Sequence, residues 1–200
     1  HSHAFQRALA GHTEQRSPEG RDNFWSWRER MYELAGRVSA DALTAIARQA
    51  YCEMLRSGYT SVAEFHYLHR DPATNTDGMQ MFEALAAAAR DVGIRLTYLP
   101  VLYERAGFHA SGPEGPQKLF ALSLQRFLEH HDRARGQRSA KLAVGIGAHS
   151  VVQANELGLY EAITDCGAGG LSSAVFLVGE GAMDLLIVVA GLVAITPAAG

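Results

Sequence analysis

His1, Ser2 and His3 open the chain, and the spacing of the two histidines says more about chemistry than anything after it. On an extended segment the side chains at i and i+2 share a face, so two imidazoles placed in this way can reach one divalent ion. Zinc suits such nitrogen donors, and a catalytic zinc takes three protein ligands and keeps one position open for water. The pair is therefore either part of a larger ligand set or a terminal dipeptide with no such role. Further residues able to bind a metal or a substrate recur downstream: His66 and Tyr67, Tyr103 and Arg105, and His149.

The elements that must position these residues read as alternating helices and strands. Ser39 is an N-cap for a helix from about Ala40 to Ser57, with Leu43, Ile46, Ala47, Ala50, Met54 and Leu55 at helical spacing and Gly58 as its stop. A strand follows over Thr60 to Phe65, then a polar loop to Gly78. The next helix runs from about Met79 to Val92, stopped by Gly93, and feeds a strand from Ile94 to about Leu102, which Pro100 should shorten or distort. A third helix is expected over about Gln117 to Ala134, and the apolar stretch Leu142 to Ala148 reads as one strand. Such alternation is what βαβ units produce, so a parallel sheet covered by helices is expected, closed as a barrel or left open. The binding residues fall where each strand gives way to its loop, which favours a partial (β/α)8 barrel whose first strand lies just upstream of His1. About half a barrel is expected over 1–153, with 154–200 as a divergent, Gly-rich and apolar tail. There Ala154 to Asp165 reads as a helix, and the run Leu185 to Ile195 fits a buried strand or a core helix and is too short to span a bilayer.

Composition narrows the function classes. With 48% apolar and 20% charged residues among 200, a sizeable core can form. Eighteen basic and 21 acidic residues leave a net charge of −3, which offers no footprint for nucleic acid or an anionic membrane and points to a small solute as partner. Cys52 and Cys166 have neither metal-type nor framework spacing, which suits a reducing, cytoplasmic setting. No initiator Met precedes His1, so a piece of something longer is expected.

The segments HSHAFQRALAG, RDNFWSWRERMYELAGRVS, YCEMLRSGYTSVAEFHYLHRDP and RLTYLPVLYERAGF together resemble the N-terminal half of the formimidoylglutamate deiminases, metal-dependent amidohydrolases of histidine breakdown. The resemblance runs from His1 to about Ser150. It implies a deformed barrel and the zinc-dependent conversion of N-formimino-L-glutamate and water to N-formyl-L-glutamate and ammonia. It also implies that His1 and His3 are zinc ligands, that Gln6 addresses the formimino group, and that Arg28 and Tyr67 hold a substrate carboxylate. His149 matches a histidine that contacts the substrate. Without that resemblance Arg28 reads as a solvated helix charge, and Tyr67 and His149 stay open between packing and binding.

Two departures stand against full activity. Three residues beyond His149 the family carries an arginine that grips the substrate carboxylate, whereas Val152 stands here. The later block that would supply a third histidine ligand and a glutamate is not recognisable in 154–200, where no histidine occurs. The isolated chain is therefore expected to be inactive, and its open barrel edges to promote self-association. Two alternatives remain: an amidohydrolase acting on another amidine or heterocycle, or a non-catalytic truncated or fused product. The tail segment AGLVAITPAAG resembles part of a membrane helix of ammonium transporters.

Overall fold

The structure, a computed structural model, describes residues 1–13, 23–74, 78–105 and 110–149, plus the backbone of Ala162–Asp165, Ile187–Val189 and Val193–Thr196. Phe24 and Trp25 are likewise described by their backbone alone. Val152, Cys166 and most of the tail lie outside the described residues.

Helix α1 spans Phe24–Ala35 and α2 spans Ala40–Arg56. Ser39 caps α2 from an extended backbone, its hydroxyl accepting the Ala42 N–H at 3.2 Å. Leu43, Ala47, Ala50 and Tyr51 are buried along one stripe of α2, the face that the apolar spacing predicts. Strand β1 (Ser61–His66), helix α3 (Met79–Val92) and strand β2 (Arg95–Leu102) follow, close to their expected limits. Phe82, Leu85 and Ala89 of α3 pack against this layer with Leu96 and Tyr98 of β2, forming one core with α2.

Gly78 is required twice over at the start of α3. Its φ of +87° lies in the left-handed region, and a Cβ there would sit 2.9 Å from the His69 carbonyl oxygen. The loop entering α3 is tied down by Asp71, which accepts from Ala73 N at 2.7 Å and from Ala40 N at 2.9 Å. That second bond joins the loop after β1 to the first turn of α2.

The third helix begins later than periodicity suggests. A 3-10 turn at Gly115–Leu119 comes first, and α4 spans Leu124–Arg135 behind the N-cap Ser123. Phe120 and Leu122 are buried in the irregular segment between them, so their apolar character serves packing and not a helix stripe. The expected single strand over Leu142 to Ala148 is broken into β3 (Leu142–Val144) and β4 (Ile146–Ala148).

The sheet is parallel from Ser2 through β4. Ser2 bridges Glu64, β1 pairs with β2 from Ser61↔Arg95 to His66↔Pro100, and β2 pairs with β3 and then β4. Pro100 does not end β2. The ladder to the next strand is interrupted instead between Tyr98↔Val144 and Val101↔Gly147, with the register unchanged across the gap, and the Gly145 N–H donates to Tyr98 O at 2.9 Å. A residue with no N–H thus sits where β2 has no partner to donate to.

In the tail, β5 (Ala162–Asp165), β6 (Ile187–Val189) and β7 (Val193–Thr196) extend the same sheet. The helix expected up to Asp165 is thus a strand at its end. Strand β6 pairs parallel with β4, whereas β6–β7 and β5–β7 are antiparallel, so the βαβ pattern stops at β4. No helix among the described residues is long and apolar enough to cross a membrane.

Candidate active site

The candidate site is assembled where Ser2, β1, β2 and β4 end. Ser2 N donates to Ala63 O at 2.8 Å and Phe65 N donates to Ser2 O at 2.9 Å, so His1 and His3 flank a residue held in the sheet. Their rings meet edge to face with centroids 5.3 Å apart. His3 Nδ1 lies 2.9 Å from the Phe65 carbonyl oxygen, which can only accept. The proton therefore resides on Nδ1, and Nε2 keeps its lone pair for a ligand role. Burial lowers the pKa of His3, which favours the neutral imidazole that metal ligation needs.

A 3-10 helix, Ala4–Leu9, follows directly and carries Gln6. Gln6 Nε2 donates to Tyr67 Oη at 2.5 Å. Tyr67 thus accepts from Gln6 and keeps its own O–H to donate elsewhere. Burial pushes the Tyr67 phenol well above its ordinary pKa, so it stays protonated. Its ring lies 5.5 Å from that of His3 and 6.0 Å from that of His149.

Arg28 reaches the same place from α1. Its Nε donates to Tyr32 Oη at 2.6 Å, one helical turn on, and its guanidinium carbon lies 5.2 Å from the Tyr32 ring centroid. It also hydrogen-bonds Tyr103, whose phenol burial pushes up to about 12. The Tyr103 ring lies against that of His149, centroids 4.0 Å apart and planes tilted by 50°. The backbone of His149 is fixed by its main-chain N–H, which donates to Leu102 O at 3.0 Å. Burial first, then the Arg28 charge and His3, lower its pKa to about 4. A neutral imidazole therefore faces a cation and a phenol.

The six residues to which the family resemblance gives a role lie in this cluster: His1, His3, Gln6, Arg28, Tyr67 and His149. Tyr32, which steadies Arg28, has no assignment in the sequence, although its i+4 spacing was there to read. His66 does not join the site. Alternation along β1 turns Phe65 towards His3 and His66 the other way, into a fully buried layer with His69 and Tyr98. Arg105 is exposed.

The fit of a metal ion can be judged from the rings. Two imidazoles on one tetrahedral ion have centroids about 5 Å apart, and the 5.3 Å separation of His1 and His3 agrees with that. No group of three or more His, Cys, Asp or Glu residues able to hold a metal occurs among the described residues. Among the described residues the His1–His3 pair thus has no third such residue grouped with it.

The amidohydrolase family model matches residues 1–174. The chain belongs to the amidohydrolase family. Over 154 residues, 76% of the chain, it is 42% identical to the formimidoylglutamate deiminase of Pseudomonas aeruginosa, and it spans about a third (34%) of that relative's length. Among solved structures it is similar to an amidohydrolase from Brucella melitensis, at 33% identity and a TM-score of 0.71, over 94% of this chain and 39% of that one. The atrazine chlorohydrolase of Arthrobacter aurescens, in a crystal structure complexed with zinc, shares the fold at 20% identity and a TM-score of 0.58, over 90% of this chain and 42% of that one. The parallel sheet and its helices fit part of an amidohydrolase barrel, and the family's chemistry is hydrolysis.

Proposed function

We propose that this amidohydrolase chain carries the substrate-gripping face and two zinc ligands of a deiminase that hydrolyses N-formimino-L-glutamate to N-formyl-L-glutamate and ammonia. The observation that carries the reading is the convergence of Arg28, Tyr67 and His149 on the ring pair His1–His3, with Gln6 bonded to Tyr67. In the reaction the carbon–nitrogen double bond of the formimino group takes up water, a new carbonyl forms, and the nitrogen leaves as ammonia.

A bound zinc ion supplies Lewis acidity and makes water a nucleophile near neutral pH. His1 and His3 would hold it, the latter through the Nε2 that the Phe65 carbonyl leaves available. Arg28, braced by two phenols, grips a carboxylate with a planar fork. The hydroxyl of Tyr67 donates a second bond to that end of the substrate. Gln6 keeps its amide oxygen to accept from the formimino N–H, an orientation set by its own bond to Tyr67. His149, held neutral, can accept from or donate to the substrate without repelling Arg28.

The same reading makes 1–153 the barrel portion and 154–200 a divergent apolar tail, and places the reaction in cytoplasmic histidine breakdown. Because only two ligands are present among the described residues, the isolated chain is expected to bind substrate and metal weakly and to release no ammonia. The test is zinc bound at equilibrium dialysis against free zinc, together with calorimetric titration of N-formyl-L-glutamate, on the chain and on a His1→Ala, His3→Ala variant. Zinc held by the chain and lost from the variant supports the reading. Equal zinc in both, with no ligand binding by either, removes it.

A further inference from the structure

Glu64 presents a carboxylate that the proposed chemistry does not use and that packing alone does not require. It is fully buried in β1. Burying a carboxylate is expensive unless its lone pairs are satisfied, and an apolar side chain would fill the same space at no such cost. Its bonds therefore show what it does. Oε1 accepts the Ala4 N–H at 2.7 Å, Oε2 accepts the Tyr51 hydroxyl of α2 at 3.2 Å, and the Ser2 side chain adds another bond. The backbone of Glu64 also bridges that of Ser2. The Ala4 N–H can only donate, and both hydroxyls can donate to the same carboxyl, so Glu64 can serve all three partners as an acceptor.

The residues it grips are the two on either side of His3. A short segment can rotate about its own backbone, and one sheet bridge at Ser2 does not by itself stop the following peptide from turning. A carboxylate anchored to α2 through Tyr51 and holding both Ser2 and Ala4 does. We infer that Glu64 is a positioning residue, which clamps the peptides flanking His3 and so fixes the direction in which His1 and His3 present their rings. The use made of those rings rests on the proposed metal role; the clamp itself does not.

The test compares Glu64→Met, similar in size but without a strong acceptor, with Glu64→Gln. The amide can turn its oxygen to Ala4 N–H and its NH₂ to Tyr51 Oη. Leu85→Ala, in the fully buried face of α3, is the control for general loss of stability. Readouts are amide exchange at Ala4, the tautomer of His3 by nitrogen NMR, and zinc affinity by competition with a chromophoric chelator. Glu64→Met should speed exchange at Ala4 at least tenfold, mix the His3 tautomers and weaken zinc binding by about tenfold, while Glu64→Gln stays within about threefold of the parent. An unchanged Ala4 and His3 in Glu64→Met, or changes no greater than in Leu85→Ala, would overturn the inference. Should Glu64→Met fail to fold, a scalar coupling across the hydrogen bond between Ala4 N and the Glu64 carboxyl carbon decides in the unaltered chain, and its absence overturns the clamp. If the unaltered chain binds no zinc, the metal reading falls while exchange and tautomer still decide the clamp.

Discussion

Gln6 Nε2 and Tyr67 Oη are joined by a 2.5 Å hydrogen bond between residues 61 positions apart in sequence. The bond locks the helical turn after His3 to the loop that leaves β1, and it sets which atoms of each side chain face the site. A double-mutant cycle with Gln6→Leu and Tyr67→Phe should return a coupling of about 1 kcal/mol in urea unfolding. A coupling near zero would mean that the two side chains are only neighbours.

Stability should rise with pH across the histidine range. His3, His66, His69, His131 and His149 all have lowered pKa values, chiefly through burial, and for His69 and His149 the values fall to about 4. Unfolding exposes groups that bind protons at about pH 6.5, so their contribution is complete above that pH and is lost as the pH falls towards 4. Glu64 opposes this. Its carboxyl is pushed up to about 7 by burial, so its contribution is present below the ordinary carboxylate range and fades as the pH rises to 7. Five histidines outweigh one carboxylate. His69 alone, fully buried, accounts for up to about 3 kcal/mol between pH 7 and pH 4. Urea midpoints at pH 7 and pH 5 measure the slope, and a flat or inverted profile contradicts it.

Gly78 and Gly93 bracket α3, both with φ near +87° (+87° and +86°), but only at Gly78 would a Cβ meet a backbone atom. Gly93→Ala should cost about 1 kcal/mol, the conformational penalty alone. Gly78→Ala should cost at least about 2 kcal/mol, because the His69 carbonyl at 2.9 Å must also move. Equal losses in thermal unfolding would show that the loop yields freely.

The outer side of β1 has Ser2 as its one backbone partner among the described residues. Unpaired strand edges recruit other chains. Light scattering after sizing should therefore report species larger than the 21.6 kDa monomer, and a monodisperse monomer would count against this.

Much of the frame is legible in the sequence because its signals are local. Ser39, Gly58, Gly78 and Gly93 punctuate α2 and α3 through caps and left-handed turns, which depend on one residue each. The break at Gly145 and the late start of α4 are not legible, since they depend on how β2 changes partners and on what buries Phe120. The direction of His66 is a matter of register: one residue's shift would have turned it to the site and Phe65 away. For the same reason Glu64 reads as an ordinary strand carboxylate until its partners, from the first turn and from α2, are known.

Arg28 offers the sharpest test of the substrate class. Tyr32 and Tyr103 hold its guanidinium beside His149, so its charge is directed to a position within the site. A ligand with a distal carboxylate should gain from that charge, and one without it should not. Arg28→Ala should weaken binding of N-formyl-L-glutamate at least tenfold while leaving a decarboxylated analogue unaffected. Arg28→Lys should recover little, because an ammonium cannot keep the planar Nε bond to Tyr32 and grip a carboxylate with two parallel donors. Calorimetry with the two ligands separates the cases. If Arg28→Ala binds both as the parent does, the carboxylate role fails, and the assignment of a glutamate-derived substrate fails with it, whatever the metal pair does.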